Sequence, residues 1–406
     1  MFNNNLIPGT VHGTIMGRGQ RNLSQTQPPK QLNQPPPEAN LPRGLNFYAD
    51  YSGCGYWRML WPEQILTAYH KMVIHGSTVM CFDEGWYRDV KAVRIQRQAT
   101  PGQLKFVKFL KELSIRHNFR LIYEIDDIIF KEDIPDYNKF KAAFVDPVIR
   151  ETAQEIMSMC DEITVTCEFM KKYYLDKTPC KNITVIPNYM PRFWMGNFYN
   201  EKNISRNFDK HRKKPVVLYP GSGAHFDVDN RVKQQDDFGH VVDEVIKTKN
   251  KFDWVFLGAF PLKVRPYIKS GEMKFVPWNH LYDYPQTVAD INPNVIVAPL
   301  CDNTFNKAKS DLKYIEACAY GLPGICQDID TYANAPIRFT TGPEMIDQIS
   351  SATKDKSTYM KISRTARKYA ETRWLENEEN ISKYFELYTT PYKSPERKHI
   401  NSVPAN

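Results

Sequence analysis

A buried strand that runs directly into an amphipathic helix restricts the fold of this chain more than any other feature. The apolar run at residues 294–300 (NVIVAPL) is typical of a strand that is covered on both faces. In the helix that follows, Leu312, Ile315 and Ala319 have the spacing of one core-facing stripe, and Gly321 provides a stop signal. The pattern predicts one strand–helix step of an α/β fold with a parallel sheet.

Positive charge at the start of this helix is unusual. Lys309 and Lys313 flank the predicted N-terminus, where the helix dipole disfavours cations. We expect Ser310 to be the N-cap, so that the backbone N–H groups of Ser310, Asp311 and Leu312 point out of the helix. An anion held between these N–H groups and the two lysines would account for the charge. The alternative is that both lysines are ordinary solvated surface charges.

Glu316 lies one turn further along the same predicted face as Leu312. A carboxylate in this position loses water and needs a polar partner, and the hydroxyl groups of a ribose would serve. A phosphate at the helix N-terminus and a ribose one turn further on together describe a nucleoside diphosphate.

Alternating strands and helices divide the rest of the chain into two doubly wound α/β units. The predicted strands of the first unit are residues 45–49, 78–82, 90–95, 120–125, 162–166 and 183–186, and its predicted helices are 62–72, 101–117 and 149–160. The second unit has predicted strands at 216–219, 254–257, 274–276 and 324–328, a helix at 241–247, and the strand and helix described above. Two such sheets bind ligands in a cleft at the carboxyl ends of their strands.

The predicted domain organisation has five parts. They are a disordered Pro- and Gln-rich tail (1–42), an acceptor-side Rossmann-like domain (43–200), a basic hinge (201–214), a nucleotide-binding Rossmann-like domain (215–370) and a second tail (391–406). The last long helix, predicted at residues 361–387, is too long for the second domain alone.

The segment 305–324 (FNKAKSDLKYIEACAYGLPG) resembles the donor-binding motif of GT-B glycosyltransferases of the family 4 kind. The resemblance implies a GT-B fold, a UDP-linked sugar donor, and neither a metal nor another cofactor. In such folds the last helix crosses back onto the first domain, here at about residues 371–390. Ala308 departs from the family's pattern, which normally has a glutamate there that contacts the donor sugar. The implied donor contacts are Asn306, Lys309, Ser310, Asp311, Leu312, Lys313 and Glu316.

An upstream segment, residues 219–227 (YPGSGAHFD), resembles the first loop of the second domain in the same family. The resemblance implies that this loop approaches the diphosphate from the side opposite the helix. The residues involved are Gly221, Ser222, Gly223 and His225. Together with Lys309, which would stabilise the leaving group, they complete the predicted donor site.

Asp126 and Asp127 end a predicted strand at the edge that faces the cleft. One of them is a candidate to orient an acceptor hydroxyl or to act as a general base, and two close carboxyl groups would raise one pKa. The alternative is that they cap and turn the next segment. A lone pair of acids does not define a metal site, and no His spacing typical of one is present.

Further residues are predicted to contact the acceptor. Gly53 and Gly55 would let the backbone of a loop approach a ligand closely, and Tyr56 and Arg58 follow them. Arg97 lies near the end of another predicted strand. The hinge bases Arg212, Lys213 and Lys214 are predicted at the rim of the cleft, where they would neutralise phosphates.

The overall pattern also resembles glycosyltransferases of T-even-like tailed phages, some of which glycosylate 5-hydroxymethylcytosine in their own DNA. With the net charge of +8, the resemblance predicts transfer of a glucose- or arabinose-class sugar from UDP to this base in double-stranded DNA, a modification that evades host restriction. One alternative is a glycosyltransferase of cell-surface polysaccharide or lipid-linked glycan. Another is an inactive nucleotide- or glycan-binding virion protein, with Ala308 as the sign of lost activity.

Three features of the sequence predict a cytoplasmic protein, here in the cytoplasm of an infected bacterial host. The eight cysteines have no CxxC spacing and are expected to be reduced thiols. No apolar run reaches the ~18 residues of a transmembrane helix. The N-terminal segment lacks the pattern of a signal peptide.

Overall fold

The computed structural model describes residues 41–69, 72–227 and 235–391 of the chain. The predicted tails, residues 1–42 and 391–406, lie almost entirely outside the described residues. Two parallel sheets of six strands form the framework. This confirms the predicted α/β fold of two Rossmann-like sheets.

The first sheet has the strand order β2-β1-β3-β4-β5-β6, and the second has the order β12-β11-β10-β7-β8-β9. The strands of the first sheet are β1 (Arg43–Phe47), β2 (Val73–Ser77), β3 (Val90–Gln96), β4 (Arg120–Glu124), β5 (Glu162–Val165) and β6 (Ile183–Val185). Those of the second are β7 (Val216–Gly221), β8 (Asp253–Gly258), β9 (Lys274–Pro277), β10 (Val295–Ala298), β11 (Gly324–Gln327) and β12 (Arg338–Phe339). Every neighbouring pair is parallel, so each sheet presents all its carboxyl ends at one edge.

Helices connect the strands and cover the sheets. The longer helices in the described part of the chain are Trp61–Ala68, Pro101–His117, Pro147–Met159, Glu168–Lys177, Glu201–Lys210, Tyr284–Ile291, Leu312–Tyr320, Gly342–Ala352, Lys356–Thr372 and Glu378–Thr389. The helix Pro101–His117 has the predicted bounds because Thr100 and Gln103 form a capping box and Asn118 ends it in the left-handed conformation. No helix in the described residues is long and apolar enough to cross a membrane.

The predicted strand at residues 78–82 is wrong. The strand of this region is β2, Val73–Ser77, and the later residues form a loop in which Val79 and Phe82 are exposed. The strand VIHGS was missed because His75 and Gly76 interrupt its apolar run. The segment TVMCF has the composition of a strand, but it is not part of either sheet.

The predicted single helix at residues 361–387 is also wrong, because the chain forms two helices, Lys356–Thr372 and Glu378–Thr389. Between them, Trp374 forms a parallel bridge with Met190, and the backbone N–H of Leu375 donates to the Met190 carbonyl at 2.9 Å. The last helix then packs on the first sheet, where the Tyr388 hydroxyl donates to Asn46 at 2.6 Å.

Aromatic side chains join the two sheets beside their carboxyl ends. Trp57, Trp61 and Trp194 come from the first half, with ring centroids 4.7–5.3 Å apart. Tyr284 of the second half stacks on Trp194 at 6.0 Å. Buried aromatic clusters contribute strongly to a core, so this cluster fixes one end of the space between the sheets.

Candidate functional site

A cavity of about 270 Å³ lies where the carboxyl ends of the two sheets face each other. Loops that follow β7, β9 and β10 form one wall, and the N-terminal turn of the helix Leu312–Tyr320 projects into it. We name this helix the donor helix after the donor-binding motif that its sequence resembles. The opposite wall comes from the first half of the chain. It consists of Gly53, Cys54, Trp57, Asp126, Asp127 and Asn188.

The donor helix begins one residue later than predicted. Its N-cap is Asp311, not Ser310, and the Ser310 hydroxyl accepts a hydrogen bond from the Asn188 side chain at 2.9 Å. The Asp311 carboxylate faces away from the cavity and pairs with Arg373 at 2.8 Å. Asp311 therefore anchors the start of the helix, while Ser310 and Leu312 line the cavity.

Lys309 and Lys313 both line the cavity, as predicted from the helix N-terminus. Lys309 Nζ lies 4.4 Å from the centroid of the Phe305 ring. Lys313 is partly buried, and desolvation together with the charge of Lys309 lowers its pKa to about 8. Two neighbouring cations with little water are stabilised when an anion lies between them.

His225 supports Lys313 through a partner that sequence reasoning missed. The His225 Nδ1–H donates to the buried Asp237 carboxylate at 2.7 Å, and Nε2 lies 3.2 Å from Lys313 Nζ. Burial and the charge of Lys313 lower the pKa of His225 to about 4, so the ring is neutral and Nε2 accepts from the lysine. Asp237 thus sets the direction in which the Lys313 ammonium group points.

Asp237 is the centre of a buried polar cluster. Burial opposes its ionisation, but hydrogen bonds from His225 and from the Tyr137 hydroxyl hold its pKa below the usual value. Tyr137 comes from the first half of the chain and donates at 2.6 Å, and the Cys301 N–H donates at 3.0 Å. In the sequence, Asp237 is marked only by the large apolar Phe238 that follows it, and the structure shows that Phe238 is buried.

Asn306, predicted as a donor contact, lies behind the cavity wall. Its side chain is fully buried and donates to Asp237, to Tyr137 at 3.1 Å and to the Cys301 carbonyl at 2.9 Å. Ala308 is also fully buried, and it packs with the hydrophobic core of the first sheet. Position 308 therefore faces the core of the first sheet and not the cavity.

Glu316 lines the cavity one turn beyond Leu312, where the sequence placed it. The Tyr284 hydroxyl donates to Glu316 Oε2 at 2.8 Å, while Oε1 accepts no hydrogen bond within the described residues. Desolvation raises the pKa of Glu316 to about 7 despite this hydrogen bond and the nearby Lys313. Trp278, with half of its side chain exposed, lies beside it in the same wall.

The loop after β7 contributes to the same wall of the cavity as the donor helix. Gly221, Ser222 and His225 line it, whereas Gly223 does not. A Cβ atom at Gly221 would lie 2.5 Å from the Tyr219 ring, so glycine is required where the strand ends.

Asp126 and Asp127 lie in the wall contributed by the first sheet. Burial raises the pKa of Asp127, and the positive charge of Lys309 opposes this effect. Asp126 Oδ1 is 3.8 Å from Arg97 Nε. The structure therefore brings the predicted acidic pair to the same cavity as Lys309 and Lys313.

The glycine loop is held by its own polar contacts. Gly53 lines the cavity, whereas a Cβ atom at Gly55 would lie 1.9 Å from the Asp50 carbonyl oxygen, so Gly55 serves the loop's own packing. Arg97 pairs with the Asp50 carboxylate at 2.5 Å and links the loop to Asp126. Tyr56 lies outside the cavity lining.

Arg58 does not contact an acceptor, so this prediction is wrong. It is fully buried and binds Glu124 at 2.7 Å, the Ile186 carbonyl at 2.6 Å and the Asn188 side chain at 2.9 Å. Arg58 lies in the π-helical segment Tyr56–Leu60, whose buried face turns it toward β4. Glu124 also pairs with the buried Arg94 at 2.6 Å.

The prediction that Arg212, Lys213 and Lys214 lie at the rim of the cleft is wrong. They immediately precede β7, whose far end, Gly221, lines the cavity. Lys214 pairs at 2.8 Å with Asp253, the first residue of β8. Because both strands are parallel, these bases lie at the opposite edge of the second sheet, a strand length of ~20 Å from the cavity.

Within the described residues, no group of three or more His, Cys, Asp or Glu side chains is arranged to hold a metal ion.

Comparison with known proteins connects this architecture to solved structures. No protein-family model matches the chain, and no curated protein matches its sequence. HepE of Anabaena, solved with UDP and glucose and also with UDP-glucose, has 11% identity and a TM-score of 0.55 over 89% of this chain and 100% of that chain. S. aureus TarM, solved with UDP among its ligands, has 14% identity and a TM-score of 0.48 over 77% of this chain and 57% of that chain. The similarity to HepE shows the fold, which is the predicted GT-B fold.

Proposed function

We propose that this chain is a glycosyltransferase that moves a sugar from a UDP-linked donor to a hydroxyl group. The observation that carries the proposal is the paired Lys309 and Lys313 at the start of the donor helix, one turn from the Glu316 carboxylate. This spacing fits a diphosphate followed by a ribose. HepE, which has the same fold, was solved with UDP-glucose.

In this proposal the diphosphate lies between the two lysines and the loop at Gly221 and Ser222. The ribose hydroxyl groups donate to Glu316, and the nucleobase stacks on the exposed face of Trp278. Each contact uses a group that lines the cavity.

The reaction breaks the bond between the anomeric carbon and the diphosphate oxygen and forms one to the acceptor oxygen. Negative charge develops on the departing diphosphate, and Lys309 and Lys313 stabilise it. We propose Asp127 as the group that takes the proton of the acceptor hydroxyl, because its carboxylate lies in the opposite wall near Lys309. Because the lysines already supply positive charge, activity is expected to persist in EDTA.

For the acceptor, we propose 5-hydroxymethylcytosine in duplex DNA, on the basis of the phage resemblance and the positive net charge. Only a hydroxyl can accept the sugar, so unmodified cytosine DNA should yield no product. The test is mass spectrometry of nucleosides after incubation of hydroxymethylated DNA with the protein and a panel of UDP-sugars. Transfer to a lipid-linked sugar or polysaccharide, with none to DNA, would replace this acceptor by the glycan alternative.

We also propose that residues 43–200 and 215–370 are separate domains that close on the donor, with residues 201–214 joining them. In the structure most of this joining segment is the helix Glu201–Lys210. Its apolar side, with Ile204 and Phe208, packs against Tyr359 and Met360 of the second half. The joint is therefore proposed to lie before this helix.

A further inference from the structure

The positive charge of this protein is concentrated in two segments, residues 201–214 and 354–373. Together they contain 13 Lys and Arg against 4 Asp and Glu, whereas the rest of the chain contains 41 against 42. The net charge of +8 is therefore not spread over the surface. Exposed charges are ordinarily balanced by neighbours of opposite sign, and here most are not.

The two segments form one surface because their helices lie side by side. Arg364 pairs with Glu201, and Lys356 pairs with Asp209, each at 2.5 Å. The two pairs are eight residues apart on each helix and run in opposite order, so the helices are antiparallel and in register. Both acids of residues 201–214 are thereby neutralised by cations of the neighbouring helix.

The remaining cations form two outward rows. On the helix Glu201–Lys210, Lys202, Arg206 and Lys210 recur every four residues, opposite the buried Ile204 and Phe208. On the helix Lys356–Thr372, Lys361 and Lys368 are seven residues apart and therefore share one face. All five are exposed, and none makes an ion pair within the described residues.

Two further cations, Arg212 and Lys213, extend the first row and are likewise exposed. Neighbouring helices pack at ~8–10 Å, so the surface presents two roughly parallel rows of cations at about that separation. Because Lys202, Arg206, Lys210, Lys361 and Lys368 all lie on helices, the spacing of the two rows is fixed before any partner binds.

We propose that this two-helix basic surface docks on the phosphate backbone of a double-stranded nucleic acid. A duplex offers two rigid rows of phosphates along a groove, which suits two rigid rows of cations, and Lys and Arg bind them without reading sequence. A membrane partner is disfavoured because no large apolar side chain of residues 201–214 or 354–373 is exposed, and surface-lying membrane helices insert such side chains.

The surface is separate from the donor cavity and holds the protein near its polymer without filling the cleft. The proposal extends the suggested DNA acceptor but does not depend on it, because docking requires neither a donor sugar nor a modified base.

The test is fluorescence anisotropy of the full chain with an unmodified cytosine duplex, from ~50 to ~300 mM salt. The surface variant combines Arg206→Gln, Lys210→Gln, Lys361→Gln and Lys368→Gln. The control variant removes the same number of charges elsewhere, at exposed lysines that make no ion pair within the described residues. It combines Lys91→Gln, Lys105→Gln, Lys172→Gln and Lys269→Gln.

The wild-type protein should bind with an affinity that falls steeply with salt. The surface variant should bind at least tenfold more weakly at ~50 mM salt, with a log–log slope reduced by about 0.9 for each lost phosphate contact. The control variant should retain most of the binding, and both should keep the UDP affinity of the wild type, which also shows that they are folded. If the fourfold variant does not fold, the two double variants on single helices should each give about half of the effect.

Three outcomes would overturn the proposal. The first is no binding to the duplex at ~50 mM salt. The second is an equal loss in the surface and control variants, which would mean that only net charge matters. The third is binding to phosphatidylserine vesicles but not to the duplex, which would assign the surface to a membrane.

Discussion

Two of the cation pairs in the described part of the chain differ in what lies between their charges. In the first sheet, the Glu124 carboxylate bridges Arg58 and Arg94, and all three side chains are fully buried. In the cleft, Lys309 and Lys313 make no ion pair within the described residues, and Lys313 is held by a neutral histidine.

The difference distinguishes a structural cluster from the binding site that we propose in the cleft. Buried or poorly hydrated cations need an anionic partner. Glu124 supplies this partner to Arg58 and Arg94, so the buried cluster needs no ligand as a counter-ion. The second pair has no such partner within the described residues, and in our proposal the diphosphate of the donor takes that role. Four predictions test this contrast, in order of decreasing effect.

Removing the internal anion should damage the fold. Glu124→Gln leaves two buried arginines without their counter-ion and is expected to lower the free energy of unfolding by about 3–5 kcal/mol in urea denaturation. The exposed Glu112→Gln is the control and should change it by less than about 0.5 kcal/mol. If Glu124→Gln lowers the free energy of unfolding no more than Glu112→Gln does, Glu124 is not the required counter-ion of the two arginines.

Removing a cleft cation should damage binding and not the fold. Lys313→Met relieves repulsion with Lys309, so the ligand-free protein should be no less stable. The same change should weaken UDP binding ten- to a hundredfold in calorimetry, because a charge-assisted contact contributes about 1.5–3 kcal/mol. Lys307→Met, which removes a surface cation paired with Asp302, is the control and should leave the affinity unchanged. Unchanged UDP affinity in Lys313→Met would refute the site.

The cleft should respond to pH near neutrality, whereas the arginine cluster should not. Glu316 must be ionised to accept ribose hydroxyl groups, so kcat/KM for the UDP-sugar should rise as pH increases through about 7. Lys313 must be protonated, so kcat/KM should fall as pH increases through about 8. Glu316→Gln should abolish the acidic limb and keep the basic one. An acidic limb that persists in this variant belongs to another group.

The smallest effect concerns the contact that Tyr137 makes with Asp237. Tyr137→Phe removes the hydrogen bond that the hydroxyl donates to Asp237, a contribution of about 0.5–1.5 kcal/mol, and the two that the hydroxyl accepts from Asn303 and Asn306. Without the bond to Asp237, the positions of His225 and Lys313 should be less firmly held. UDP binding should weaken about threefold. Tyr87→Phe removes a comparable hydrogen bond to the Cys81 carbonyl, away from the cleft, and should affect stability but not UDP affinity. Equal UDP affinity in the two variants would limit Tyr137 to a structural role.

The donor helix was predictable because its signals are local. Lys309, Lys313 and Glu316 lie within eight residues, and the apolar periodicity alone fixes which way they face. The parallel sheets were predictable for the same reason, since each strand and helix has its own pattern. The N-cap was displaced by one residue because Asp311 is held by Arg373, which is 62 residues away.

The interior charges were not predictable, because their roles depend on distant partners. Glu124 meets Arg58 across 66 positions, and Asp237 meets Tyr137 across 100. For the same reason Arg58 was misassigned to the acceptor, since nothing local shows that its turn faces the sheet. Arg212 lies at the edge of the sheet away from the cavity because it precedes a strand whose other end reaches the cavity. The composition of the segment alone could not predict this position.

The bridge between Met190 and Trp374 has a mechanical consequence. The chain passes between the two sheets twice, and at this bridge the two passages are hydrogen-bonded side by side. Two adjacent connections permit a swing about the line that contains them but oppose sliding of one sheet past the other. Arg373, on that line, holds both the Asn188 carbonyl and Asp311 at the start of the donor helix. In the proposed closure on the donor, the N-terminal end of the donor helix therefore lies near the pivot, where a given rotation displaces atoms least.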